Sequence, residues 1–140
     1  MKKKFLRLNL YLGLSVLLFS TLFSFLGVSL VKTWFFSLAW WSLILSLDSI
    51  NFRRTNSSPL SGPFRYFLFT AFTSVFVWLI FELFNLRLNN WLYRNLPHNV
   101  FQRWLGYFIA FATVVPAMKE ISLFFQSLLG KRSLALFLSL

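Results

Sequence analysis

The chain has 140 residues, 58% of them apolar and 21% aromatic but only 12% charged, whereas charged residues approach about a quarter of a soluble domain. Twenty phenylalanines and six tryptophans exceed what a soluble core of this size can hide, because small domains expose a large share of their surface, so the implied solvent is lipid. The absence of cysteine excludes disulfides, thiolate metal sites and thiol nucleophiles. A formal charge of +11 would suggest nucleic acid in a soluble protein. Here the basic residues fall in short clusters between apolar runs, which is the pattern of membrane topology, and no nucleic-acid partner is expected.

In chain order, Lys2, Lys3, Lys4 and Arg7 form a basic flank on the apolar run from Leu8 to Val31. That run is too long for a signal-peptide core and has no small-residue cleavage pattern, so it is expected to stay as a first span. Lys32 separates it from a second run, Thr33 to Ile50, and the short connection makes the two an antiparallel hairpin. Asn51 to Pro63 (NFRRTNSSPLSGP) is dense in turn-forming residues and reads as a loop. Phe64 to Leu86 forms a third span. Arg87 to Asn99 is a polar and aromatic connection, and Phe101 to Leu129 is a fourth span that Pro116 is positioned to kink. The apolar tail 133–140 amounts to about 12 Å of helix, short of the roughly 30 Å of hydrocarbon. It is expected to lie at the interface or to begin a further segment.

These spans, about 8–31, 33–50, 64–86 and 101–129, make one all-α transmembrane domain of four helices covering 1–140. Orientation follows from the basic residues, because short positively charged loops stay cytoplasmic. Four spans place Lys2, Lys3, Lys4, Arg7, Arg53, Arg54, Arg65, Lys131 and Arg132 on one side, and Lys32, Arg87, Arg94 and Arg103 on the other. Both termini are therefore predicted to be cytoplasmic. Lys119, near the cytoplasmic end of the fourth span, can snorkel to the same side.

Helices in lipid associate through small residues and interhelical hydrogen bonds, and stripes of this kind occur at helical spacing. The fourth span carries Gly106, Ala110, Thr113, Ala117 and Glu120; the second Ala39, Ser42, Ser46 and Ser49; the first Gly13, Ser20, Ser24 and Gly27. In the third span Thr70, Ser74, Trp78, Glu82, Asn85 and Asn89 share a face, which turns Glu82 toward the bundle. Only three residues are acidic. At about 1.5 Å rise per residue, Asp48 and Glu120 lie near the cytoplasmic boundary at the level of Arg53 and Arg54, and Glu82 lies near the opposite boundary. Asp48, Arg53, Arg54 and Glu120 are accordingly expected to form an inner polar layer. Glu82, Asn85, Arg87, Asn89, Asn90, Trp91 and Tyr93 form the outer candidate site, for a lipid headgroup, an isoprenoid or a partner.

The common catalytic constellations are absent. His98 is the one histidine and follows Pro97 in a loop, so no metal is expected. The glycines at 13, 27, 62, 106 and 130 form no phosphate loop, and no serine sits in a G-x-S-x-G context. A proton-coupled transporter would need ionisable groups relayed through the bilayer, and the acids stand at opposite ends. No cofactor is expected.

The pattern Trp78, Phe81-Glu82, Asn85-Leu86-Arg87, Asn90-Trp91 and Tyr93, with Asp48 and Arg53-Arg54 upstream and Phe111 to Pro116 downstream, resembles a group of bacterial multi-pass membrane proteins that has no assigned activity. The resemblance covers most of the chain and implies a bacterial cytoplasmic (inner) membrane location. A much weaker similarity is to the small membrane subunits of carotenoid cyclases, whose adjacent Glu-Glu pair this chain lacks. The expected function is a structural or accessory membrane element that binds lipid, another membrane subunit or a second copy of itself. The alternative is a membrane enzyme or half-enzyme acting on an isoprenoid, carotenoid or lipid, with Glu82 as general acid. Reporter fusions test the topology: those at Met1 and after Leu140 should report cytoplasm and one in the 94–99 loop should report the opposite side, and a cytoplasmic signal from that loop overturns the four-span reading.

Overall fold

The computed structural model describes residues 2–94 and 96–137, with side chains for 8–94 and 96–129. The described residues are helices and loops without strands: α1 (Lys2–Phe25), α2 (Ser29–Thr55), a 3₁₀ turn (Pro59–Ser61), α3 (Phe64–Leu88), α4 (Val100–Phe111) and α5 (Val114–Phe137). Four segments are long and apolar enough to cross a membrane: Leu8–Phe25, Ser29–Thr55, Phe64–Leu88 and the α4–α5 stretch Val100–Leu129. The outward side chains are apolar, with Phe69 and Phe76 at 72% and 67% exposure, a surface that suits lipid and not water.

α2 packs on α1 along one side and on α4 and α5 along the other, and α3 lies against α4 and α5. The α1–α2 turn comes earlier than the position of Lys32 suggests, because backbone geometry and not charge ends α1. Gly27 adopts φ +86°; its N–H donates to the Ser24 carbonyl at 3.2 Å and the Val28 N–H to the Phe23 carbonyl at 3.0 Å, a Schellman termination. Lys32 thus lies inside α2. At the other end α2 continues beyond Ile50 to Thr55 and closes on Asn56, left-handed at φ 57°, with its N–H on the Phe52 carbonyl at 2.9 Å. Asn51, read from sequence as the first loop residue, is helical. The apolar tail continues α5 as helix to Phe137; the side chains of that tail, and residues 138–140 altogether, lie outside the described residues, as do the side chains of Lys2, Lys3, Lys4, Arg7, Lys131 and Arg132.

The fourth span is interrupted at Ala112 and Thr113. Pro116 has no N–H to give the Ala112 carbonyl, and its ring crowds that turn, so the helix tightens: the Thr113 N–H donates to Ala110 at 3.1 Å in place of Ile109. The freed groups are met from neighbouring helices. The Trp41 indole N–H donates to the Ile109 carbonyl at 3.3 Å. The Ser74 hydroxyl of α3 donates to the Phe111 carbonyl at 2.5 Å and accepts from the Val115 N–H at 3.0 Å. It therefore stands inside what would be one i→i−4 hydrogen bond of a continuous helix. Around it Ala71, Val75, Phe111 and Ala112 form a buried cluster flanked by Trp41, Trp78 and Tyr107, and a second cluster joins Ile44, Phe67 and Ala117.

The small-residue stripes do not all have the same function. A Cβ on Gly13 would stand 2.5 Å from the Ser46 hydroxyl and 2.8 Å from the Ser42 carbonyl, whereas one on Gly106 would meet only the Trp34 ring at 3.6 Å. Gly13→Ala is expected to force α1 off α2 and lower stability in detergent by about 1–3 kcal/mol, the usual cost of overpacking. Gly106→Ala should be neutral or stabilising through helix propensity. Thermal melts of the two variants check this, and equal effects contradict the packing.

Candidate functional site

Two polar constellations occupy opposite ends of the bundle. The first is built from the end of α3 and the chain after it. α3 stops at Asn89, left-handed at φ 50°, whose N–H returns to the Asn85 carbonyl at 2.8 Å. The Asn85 side chain then pairs with the backbone of Trp91 in both directions, accepting from its N–H and donating to its carbonyl, each at 3.1 Å. This two-bond clamp folds the connection back over α3. As a result the Trp91 indole N–H donates to Glu82 Oε1 at 3.2 Å and the Tyr93 hydroxyl donates to the same oxygen. The Trp78 indole N–H approaches the Tyr93 hydroxyl at 3.4 Å. Aromatic contacts continue the cluster inward, from Trp78 to Trp91 at 6.3 Å, Tyr93 to Tyr107 at 5.2 Å and Tyr107 stacked on Phe111 at 5.7 Å.

The structure thus brings Glu82, Asn85, Trp91 and Tyr93 together. Asn89 serves as a helix cap, and Arg87 and Asn90 are exposed. Burial, and then the hydrogen bond to Glu82, push the Tyr93 hydroxyl up to about 12, so this phenol keeps its proton and remains a donor throughout the physiological range. An acid held above its ordinary value stabilises the fold fully below that value, about 10 for tyrosine, and loses the contribution as pH rises toward 12.

The second constellation joins α2, the 3₁₀ turn and α5. Asp48, Asn51 and Glu120 are all fully buried, at 0% exposure. Asn51 Nδ2 donates to Glu120 Oε2 at 2.7 Å and to the Glu120 carbonyl at 2.9 Å, and the Leu60 N–H donates to Asp48 Oδ1 at 2.7 Å. Arg53 and Arg54 lie at the same end but are exposed; Arg54 donates to the Ser127 hydroxyl at 2.8 Å and the Ser127 carbonyl at 3.0 Å. Helical geometry explains this. At about 100° per residue, Arg53 and Arg54 stand roughly 140° and 240° around α2 from Asp48, whereas Asn51 is three residues on and shares its face. The arginines share the level of the acids, and rotation around α2 turns them to a different face.

Along α4 and α5, Tyr107 at the first constellation and Glu120 at the second are thirteen residues apart, about 20 Å of helix. A separate cavity of about 390 Å³ lies between α1, α2 and α4, walled by Leu12, Val16, Trp34, Leu38, Trp41, Leu45 and Ile109 with Ser37 and Ser42. Sequence reading missed Asn51 and this cavity, and it placed Ser74 on the inward face of α3 without its backbone partners. The i, i+3 spacing of Asp48 and Asn51 was the available signal for the first of these. No family model, curated protein or solved structure matches the chain.

The Glu82 cluster generates two expectations. Glu82→Gln retains a carbonyl acceptor for Trp91 and Tyr93 and should be tolerated, whereas Glu82→Ala strands both donors and should lower stability by on the order of 1–3 kcal/mol. In an ultraviolet titration one phenol should ionise only near pH 12 in the wild type and at lower pH in Glu82→Gln. Superimposable titrations contradict the Tyr93–Glu82 pairing.

Proposed function

We propose that the chain is a non-enzymatic, multi-pass protein of the bacterial inner membrane, with both termini cytoplasmic, that acts as a structural or accessory element by holding a lipid. The observation that carries this reading is the cavity of about 390 Å³ between α1, α2 and α4. It falls within the size range of ligand sites, roughly 300–1,000 Å³. Its exposed lining is apolar and includes two tryptophans, with no titratable group, and the Ser42 hydroxyl is turned onto the Leu38 carbonyl, so it is equipped to hold an apolar chain and not to transform one. Within a bilayer the occupant supplied by the surroundings is a lipid acyl chain. Because lipid tails are as apolar as the cavity walls, the hydrophobic effect adds little; selection rests on shape and dispersion, and binding is expected to survive only mild extraction.

The distribution of basic residues and the resemblance to bacterial multi-pass membrane proteins support the location and orientation. The accessory reading also draws on the Glu82 cluster, whose donors are satisfied by its own carboxylate. The second reading, an enzyme or half-enzyme acting on an isoprenoid, carotenoid or lipid with Glu82 as general acid, draws on one feature: both donors go to Oε1, which leaves Oε2 for a ligand. Glu82 is not among the cavity residues, so that reading needs a substrate site elsewhere.

Native mass spectrometry of protein released from nanodiscs decides between them. A lipid adduct is expected on the wild type, falling several-fold in Leu12→Trp and Val16→Trp, which fill the cavity, with melting temperature retained and no change in Glu82→Gln. An adduct unaffected by filling, or a product that disappears in Glu82→Gln, overturns the proposal.

A further inference from the structure

The Asp48–Asn51–Glu120 cluster has a deficit of donors that the lipid-binding reading does not use. Each of the three side chains has one buried oxygen without a hydrogen-bond partner: Asp48 Oδ2, Asn51 Oδ1 and Glu120 Oε1. All three residues are at 0% exposure. The orientation of the Asn51 amide is not arbitrary, since its nitrogen faces two acceptors, the Glu120 carboxylate and carbonyl; reversing it would set oxygen against oxygen. Asn51 bonds Glu120 directly, and Asp48 stands three residues before Asn51 on the same face of α2, so the three free oxygens belong to one buried cluster.

Charge makes the deficit more severe. Burying two carboxyl groups among neutral donors is costly unless a positive charge meets them. Among the described residues no cation is recorded on these carboxyls: Arg54 binds Ser127, Lys119, although next to Glu120 in the chain, turns to the Thr70 hydroxyl at 3.1 Å, and Arg53 is exposed.

We propose that Asp48, Asn51 and Glu120 form a binding site for a monovalent hard cation, Na⁺ in the first instance, enclosed between α2, α5 and the 3₁₀ turn. The ligand set is oxygen alone, without imidazole or thiolate, which suits hard cations. An enclosed site disfavours Mg²⁺, which keeps several waters, and Ca²⁺, which takes roughly six to eight oxygens, is compared with Na⁺ directly by the melting experiment. A single proton shared by Asp48 and Glu120 would satisfy two of the three oxygens and leave Asn51 Oδ1 unmet, whereas a cation at their centre meets all three. The ion joins α2 to α5 at the end of the bundle where Leu60 also fastens the α2–α3 connection, so its occupancy is coupled to stability.

The test is thermal unfolding of the full chain in nanodiscs at pH 8, in NaCl against choline chloride at equal ionic strength. Na⁺ should raise the melting temperature saturably, by about 5–10 °C at a hundredfold above half-saturation, with CaCl₂ at matched ionic strength giving no comparable rise. Glu120→Gln keeps an acceptor for Asn51 and supplies a donor for Asp48, so it should match the stability of the wild type in NaCl and lose the response to Na⁺. Asp48→Asn serves as a second variant if Glu120→Gln does not fold, with the same loss of response expected. Equal melting of the wild type in NaCl and choline chloride means that a proton suffices and overturns the proposal, as does a Na⁺ response that persists in the variants or a larger response to Ca²⁺.

Discussion

Hydrocarbon offers no hydrogen bonds, so every backbone donor and acceptor at membrane depth has to find its partner inside the protein. The architecture depends on how this is achieved around Pro116. A hydroxyl can donate and accept at once, and the Ser74 hydroxyl does both, to the Phe111 carbonyl and from the Val115 N–H. That requirement fixes the register of α3 on α4 and α5 to one residue. Trp78, one turn further along α3, then falls on Phe111 at 5.9 Å, and Glu82, a further turn on, comes under the returning Trp91 and Tyr93. Trp41 supports the same interruption from the α2 side through the Ile109 carbonyl. Because its ring also walls the cavity, the interruption and the lipid-sized space share a structural element.

The two polar ends solve different problems. At the Glu82 end donor and acceptor are close in sequence: Trp91 and Tyr93 lie nine and eleven residues from Glu82, and Asn85 clamps a backbone six residues on. Such a unit closes with little loop entropy and is limited by neither α1 nor α2. At the Asp48 end the defining contact spans 69 residues, from Asn51 to Glu120, and forms only when α2 and α5 are packed. The first cluster supplies its own donors. The second is short of them, which is why a ligand is inferred there and not at the aromatic cluster that is more conspicuous in the sequence.

Much of the frame was legible from residue type and spacing. Four apolar runs gave four membrane-length helical segments, and the i, i+4 register of Ser74, Trp78 and Glu82 put the acid on the same side as its neighbours in α3. The helix ends were less legible. Lys32 looked like a boundary, but termination depended on the left-handed Gly27, and an asparagine at position 56 ended α2 five residues later than expected. Polar composition from Asn51 onward masked another turn of helix, and with it the buried amide that meets Glu120. Pro116 pointed to a kink, yet which side chain would satisfy the interrupted backbone is a tertiary fact that no local pattern in α3 states. The arginines lie at the expected end, but their facing was not legible, since depth along a helix is read from residue count while facing requires the rotation as well.

The stripe Gly106, Ala110, Thr113, Ala117 and Glu120 illustrates how small residues place an acid. Thr113 and Ala117 are fully buried, and Ala117 packs with Ile44 of α2, so the two backbones draw close over the turn that precedes Glu120. Close approach is what allows one asparagine amide to reach both the carboxylate and the main-chain carbonyl of Glu120, at 2.7 and 2.9 Å. A bulky residue at 117 would separate the helices, admit lipid or water, and leave the carboxyl with a different solvent. The small side chains therefore do more than permit packing: by excluding other partners they leave the oxygens of Asp48, Asn51 and Glu120 enclosed between the two helices.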